Sequence, residues 1–269
     1  MACLAIALAM APSAEAAEGT EACSTDYCAQ DAVFQTAPLQ ALFAGVLESP
    51  VRLATGLEHG DFGLGGLSPL DGEVIVLDGK VYHARLDGSI REVDASEPTS
   101  ILIIKHFRAD RIAHLDRVED LDDLTRQLDV ALGFPNRIHA VRIEGRFERL
   151  AVRSVPRQEA PYAPVTTVVQ SQKVLELEDI EGTLVGFRFP GWAAGINAPG
   201  YHFHFVDADR QIGGHVLGIA TRGLRVEGDI SRAVTTMTPD DPLFDNANFD
   251  GTAPAYRRAL RPGEDAGNP

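Results

Sequence analysis

Three histidines near the C-terminal third of the chain, in Tyr201-His202-Phe203-His204-Phe205 and Gly213-Gly214-His215, are the residues best spaced to do chemistry. His202 and His204 stand two apart, so on a β-strand both side chains leave the same face. Between them and His215 runs Asp207-Ala208-Asp209-Arg210-Gln211, a polar segment between apolar stretches that reads as a hairpin turn. A turn centred on Asp209-Arg210 sets His204 directly opposite His215. Opposed residues on a sheet have Cβ atoms about 4.5–5.5 Å apart, close enough for both rings to reach one metal ion. Three neutral imidazoles with an open fourth position form the donor set of a catalytic zinc site. A single histidine on an apolar strand is ordinarily a hydrogen-bonded core residue, but three of the chain's eight on one hairpin face point to a metal. A slip of one residue in the hairpin register would turn His215 to the opposite face.

The elements that must hold this hairpin read as strand-rich. Leu39 to Leu47 has helical spacing, and Asp61 to Gly66 is a Gly-rich turn region. Glu73 to Leu77 and Val81 to Leu86 alternate around Asp78-Gly79, a strong hairpin signal, with Asp87-Gly88 closing the second run. The apolar run Ile101 to Ile104 precedes an acidic stretch of helical period, Leu115 to Leu132. Ile138 to Ile143, Phe147 to Val152, Val165 to Val169, Leu184 to Phe189, Tyr201 to Val206, Val216 to Ala220 and Gly223 to Ile230 read as further strands. Strands in runs with few helices place the chain in the α+β class rather than among doubly wound sheets.

The N-terminus reads as a processing segment. Cys3 to Met10 is a short apolar run, too short to span a bilayer, followed by Pro12 and the small-residue stretch Ala14 to Ala17. Residues 1–17 therefore look like a signal peptide without the usual basic n-region, directing the chain to the periplasm or outside the cell. Residues 18–33 form an arm whose Cys23 and Cys28 suit a small local disulfide in an exported protein. The expected divisions are a mixed sheet domain over 34–160, a metal-binding sheet domain over 161–236 and an irregular tail over 237–269. The net charge of −15, from which the leader removes only Glu15, argues against a nucleic-acid partner, which needs a basic face. No segment other than the leader resembles a membrane span, and an apolar content of 45% is ample for a packed core.

Ordered along the chain are Gly60-Asp61-Phe62-Gly63-Leu64-Gly65, Leu70-Asp71-Gly72-Glu73, Ile143-Glu144-Gly145-Arg146-Phe147 and Arg153-Ser154-Val155-Pro156-Arg157-Gln158. They continue with Pro161-Tyr162, Gly182-Thr183-Leu184-Val185-Gly186-Phe187-Arg188, Gly195-Ile196-Asn197, Pro199-Gly200-Tyr201 and the histidine hairpin. In these segments, from about Phe34 to Leu217, the chain resembles the α-acetolactate decarboxylase family. The resemblance implies two tandem mixed α/β domains, a homodimer and one Zn2+ per chain held by His202, His204 and His215. It also implies Glu73 as an acidic group facing the metal and Arg153 in the pocket of a small-molecule substrate. The implied reaction is decarboxylation of 2-acetolactate to acetoin. The substrate's keto and hydroxyl oxygens would chelate the metal, and a carboxyl group would protonate the resulting enediolate.

Several positions depart from the family pattern. Gly66 stands where the family commonly has Thr, and Gly218 where it usually has Asp. A second catalytic Glu normally comes from the C-terminal tail; a gapless extension puts Arg261 there, with Glu264 three residues on and Asp250 before it. Glu264 is the carboxylate expected to substitute. His59, His83, His106, His114 and His139 lack metal-ligand spacing, and Arg142 and Glu144 read as structural. Two other readings use the same histidines. A cupin-like iron oxygenase would need a carboxylate ligand just after His204, for which Asp207 and Asp209 are the candidates. A non-catalytic exported relative would bind metal or a carbonyl ligand without turnover.

Overall fold

A computed structural model describes residues 31–250. The expected leader over residues 1–17, the expected Cys23 and Cys28 pair, Arg261 and Glu264 lie outside the described residues. Among the described residues twelve strands follow one another: β1 (Ala32–Gln35), β2 (Phe62–Leu67), β3 (Asp71–Leu77), β4 (Lys80–Ala84), β5 (Ile90–Glu92), β6 (Thr99–Lys105), β7 (Arg111–Val118), β8 (Ile138–Ser154), β9 (Lys173–Phe189), β10 (Gly200–Asp207), β11 (Gly213–Ser231) and β12 (Ala233–Thr236). They form a seven-stranded sheet in the order β12-β1-β6-β2-β3-β4-β5 and a five-stranded sheet in the order β10-β9-β8-β11-β7. Because β10 also pairs with β11, four strands of the second sheet close into a ring. The few helices are short, apart from Leu121–Leu132, so the α+β class holds.

Alternation along the strands divides the apolar residues into layers. Phe62, Leu64, Ile75, Leu77 and Ile103 of the first sheet meet Ala140, Val185, Phe187 and Val206 of the second in one buried cluster. The opposite face of β10 sends Phe203 and Phe205 into a separate core with Leu124, Leu128 and Leu132 of the long helix. Those three leucines recur at four-residue spacing, and Asp120 starts the helix by accepting a hydrogen bond from the Asp123 amide. Among the described residues no helix is long and apolar enough to cross a membrane.

Several elements differ from the sequence reading. The segment Asp61 to Gly66 is largely strand β2, not a turn. A Cβ on Gly63 or Gly65 would fall 2.5 or 2.1 Å from carbonyl oxygens of Ile103 and Ile101, so these glycines let β2 lie tight against β6. Val165 to Val169 is a helical turn, Val165–Val168, opening on Pro164; proline with its preset φ favours the first turn of a helix. The run Leu115 to Leu132 splits into the end of β7 and a helix that begins at Leu121. The expected helix over Leu39 to Leu47 shrinks to Gln40–Phe43. Ile138 to Ile143 and Phe147 to Val152 are one strand of 17 residues, and Val216 to Ala220 and Gly223 to Ile230 one of 19. The partition between sheets does not follow a boundary at residue 160. β7 and β8 bond to β11 in the second sheet, and β12 returns to pair with β1 in the first.

The sheets are also joined by a buried charge. Lys105 of β6, 1% exposed, reaches 2.5 Å to Asp229 Oδ1 and 2.9 Å to Ser231 Oγ, both on β11. Asp31 lies 3.6 Å away. Lys105→Met should lower unfolding stability by about 3–5 kcal/mol in denaturant titrations, because it strands a buried carboxylate; adding Asp229→Leu should recover most of that loss.

Candidate metal centre

The histidine hairpin forms in the expected register: His204 pairs with His215, Phe205 with Gly214 and Val206 with Gly213. Phe203 and Phe205 take the helix-covered face of β10, so His202 and His204 point between the two sheets. There His202 Nε2 lies 3.1 Å from His204 Nε2 and 2.9 Å from His215 Nδ1. A tetrahedral ion with Zn–N bonds of about 2.0–2.1 Å separates its ligand nitrogens by a little over 3 Å, close to these spacings. Among the described residues this trio is the one group of histidine, cysteine and carboxylate side chains that converges in this way.

The groups behind the rings support the same reading. His204 Nδ1 lies 2.8 Å from the Val74 carbonyl. A carbonyl only accepts, so Nδ1 carries the hydrogen and Nε2 turns its lone pair toward the other rings. Burial lowers the pKa of all three rings, His204 to about 3, with the Arg153 charge adding to the effect. They are thereby neutral, the state a metal requires. His202 Nδ1 is buried without a hydrogen-bond partner. The donor set fits a metal ion.

Two charged residues complete the floor of the pocket. Glu73 leaves β3 on the same face as Ile75 and Leu77 and sets Oε2 3.4 Å from His204 Nε2. Burial raises its pKa to about 7, against the opposing pull of Arg153. Arg153 of β8 pairs in register with His215. It is 6% exposed, and its Nε is buried without a partner. Above this floor the walls are apolar, with Leu42, Phe43, Leu70, Val155, Val165 and Val169 among them.

Not every expected residue is brought here. Asp207, the ligand that an oxygenase would need, instead accepts the amides of Gln211 and Ile212 with Oδ1 and shapes the hairpin loop. Asp209 sits in that loop. Asp250 is exposed and does not line the pocket. His139 faces the Phe134 carbonyl at 3.2 Å, and His59 stacks on Phe34. The Val74 carbonyl and the apolar walls were not legible as site components, since a backbone acceptor and ordinary aliphatic residues carry no sequence signature.

Comparison with known proteins shows the family of the chain. The alpha-acetolactate decarboxylase family model matches residues 33–251. The alpha-acetolactate decarboxylase of Methanosarcina mazei is 37% identical over 209 residues, covering 78% of this chain and 71% of the relative. That of Raoultella terrigena is 37% identical over 218 residues, covering 81% of this chain and 84% of the relative. The crystal structure of alpha-acetolactate decarboxylase from Bacillus subtilis strain 168 superposes with a TM-score of 0.81 at 30% identity, covering 85% of this chain and 98% of that one. The match over most of the sequence and of the fold assigns this chain to the alpha-acetolactate decarboxylase family.

Proposed function

We propose that this chain is a zinc-dependent carboxy-lyase that converts 2-acetolactate to acetoin at the pocket between its two sheets. The observation that carries the reading is the convergence of three neutral imidazole nitrogens beside a buried carboxyl group and a buried guanidinium. His202, His204 and His215 would hold the ion through Nε2, Nε2 and Nδ1. A bound Zn2+ supplies Lewis acidity toward the adjacent keto and hydroxyl oxygens of the substrate.

The chain's own groups do the rest. Arg153 offers a planar fork of donors with one N–H unspent, suited to an anionic oxygen of the substrate. The apolar walls exclude water from the carboxylate about to leave, so its charge is met by fixed donors rather than solvent. Loss of CO2 breaks a carbon–carbon bond, and the electron pair left behind must finally take a proton at that carbon. Glu73 holds that proton at a carboxyl oxygen on one side of the pocket and delivers it to one face, which fixes the handedness of the product. Arg153→Lys should cost about 1.5–3 kcal/mol of transition-state stabilisation, a drop of roughly 10- to 100-fold in kcat/KM, because the ammonium cannot reproduce the fork.

The reading is tested by incubating purified protein with racemic 2-acetolactate and following acetoin while the metal content is measured. Acetoin formation with zinc bound is expected. Binding without turnover would favour a non-catalytic relative, and iron in place of zinc would revive an oxygenase. We further propose an exported homodimer. The leader-like residues 1–17 support export to the periplasm or beyond, and the family resemblance supports the dimer; N-terminal sequencing of the secreted product and light scattering check the two.

A further inference from the structure

Behind Glu73, on the side of the first sheet away from the histidine trio, lies a buried imidazole that the proposed reaction does not touch. His83 of β4 is 2% exposed and pairs in register with Val74. Its neighbours Tyr82 and Ala84 face the cluster between the sheets, so His83 takes the opposite face. Its Nδ1 accepts a hydrogen bond from Arg91 Nε at 3.2 Å, and its Nε2 lies 2.9 Å from the Asp71 carbonyl. An arginine can only donate, so Nδ1 presents the lone pair and Nε2 carries the hydrogen. The ring therefore donates to the carbonyl of Asp71, two residues before Glu73. Asp71 Oδ1 is farther off, at 3.9 Å.

Between that carbonyl and Glu73 stands Gly72, at a φ of +64°. A Cβ there would fall 2.5 Å from His83 Nε2 and 2.3 Å from the Ala84 carbonyl oxygen. The imidazole thus fills the space that a side chain would need where the chain turns into β3. The Gly72 amide donates to the Val155 carbonyl at 3.1 Å, fixing the same point from the other side. A backbone state seldom used in strands is held by its neighbours, and its outcome is the position of the next side chain, Glu73.

We propose that His83 is a positioning residue: its hydrogen bond to the Asp71 carbonyl and its contact with Gly72 hold the first turn of β3 so that the Glu73 carboxyl stands beside His204. The inference rests on Glu73 as the proton donor. It adds a residue that is remote from the substrate and, in sequence, indistinguishable from a core histidine.

The test compares His83→Phe, which keeps a ring but loses both hydrogen bonds, with His83→Gln, whose amide can still donate to Asp71. In His83→Phe, kcat should fall about 10- to 100-fold with KM within about threefold of wild type, since displacement of a catalytic group by about 1 Å costs on that order. The enantiomeric excess of acetoin should fall with it, and His83→Gln should restore most of both. Wild-type kcat and enantiomeric excess in His83→Phe would overturn the proposal. So would equal losses of kcat in both variants with product handedness unchanged, the signature of general destabilisation. If His83→Phe does not fold, His83→Leu, which also loses the hydrogen bond to the Asp71 carbonyl, should give a loss in the same two readouts; no loss there overturns the idea. If wild-type protein forms no acetoin, the proposed activity fails separately. A crystal structure of His83→Phe, or of His83→Leu where that protein does not fold, then decides the positioning role, which is overturned if Glu73 Oε2 keeps its 3.4 Å approach to His204 Nε2.

Discussion

Glu73→Gln should lower kcat by a factor of about 10²–10⁴, the usual contribution of a positioned general acid, while KM changes little. The amide keeps the size and much of the hydrogen-bonding capacity of the carboxyl group but has no acidic proton to give. Glu73 is 8% exposed, and within the pocket its neighbours are imidazoles, a guanidinium and aliphatic walls. Bulk water therefore has poor access to the carbon that needs a proton. Because none of the three expected ligands is altered, metal content should stay at the wild-type level. Steady-state rates of acetoin formation with metal analysis on the same samples check this. A kcat within about threefold of wild type would remove Glu73 from proton transfer, given the size of effect expected of such a group.

The histidine trio was legible in the sequence because its signal is local. Spacing of two fixes His202 and His204 on one face, and a short polar loop leaves few registers for His215; the pairing His204 with His215 is the expected one. Glu73 was different. It reaches the site from the other sheet, and no spacing relates β3 to β10, so only the family resemblance pointed to it. Strand β2 carries the sequence signature of a turn because glycine is a turn former by habit. In Gly63 and Gly65 it serves close approach to β6, which depends on a neighbour some forty residues away. The long strands β8 and β11 look like separate pieces in the sequence because register shifts break their apolar alternation, between Val216 and Gly218 and again around Thr221 to Arg225. His83 lacks ligand spacing, and spacing is no guide to a residue that bonds a backbone carbonyl.

Removing one imidazole should undo the site more completely than any of these changes. His204 is the proposed ligand whose orientation is most tightly set, with Nδ1 committed to Val74 and Nε2 facing His202 and Glu73. Binding energies of roughly 10–16 kcal/mol for tetrahedral zinc sites, shared among about four donors, assign on the order of 3 kcal/mol to each, or about a hundredfold in affinity. His204→Ala should therefore be purified with little metal, and its acetoin formation should fall to that of chelator-treated wild type. It also leaves the Val74 carbonyl without its buried donor, so stability could fall for reasons unrelated to metal. His139→Ala separates the two effects. His139 is equally buried, at 1% exposed, and faces a backbone carbonyl, that of Phe134, but is not part of the trio. Loss of metal and turnover in His204→Ala alone, with a comparable drop in melting temperature in both variants when all proteins are measured metal-free, is the outcome required of a ligand. Retention of stoichiometric zinc by His204→Ala would show that the ion is held elsewhere, and the chemistry assigned to this pocket would have to move with it.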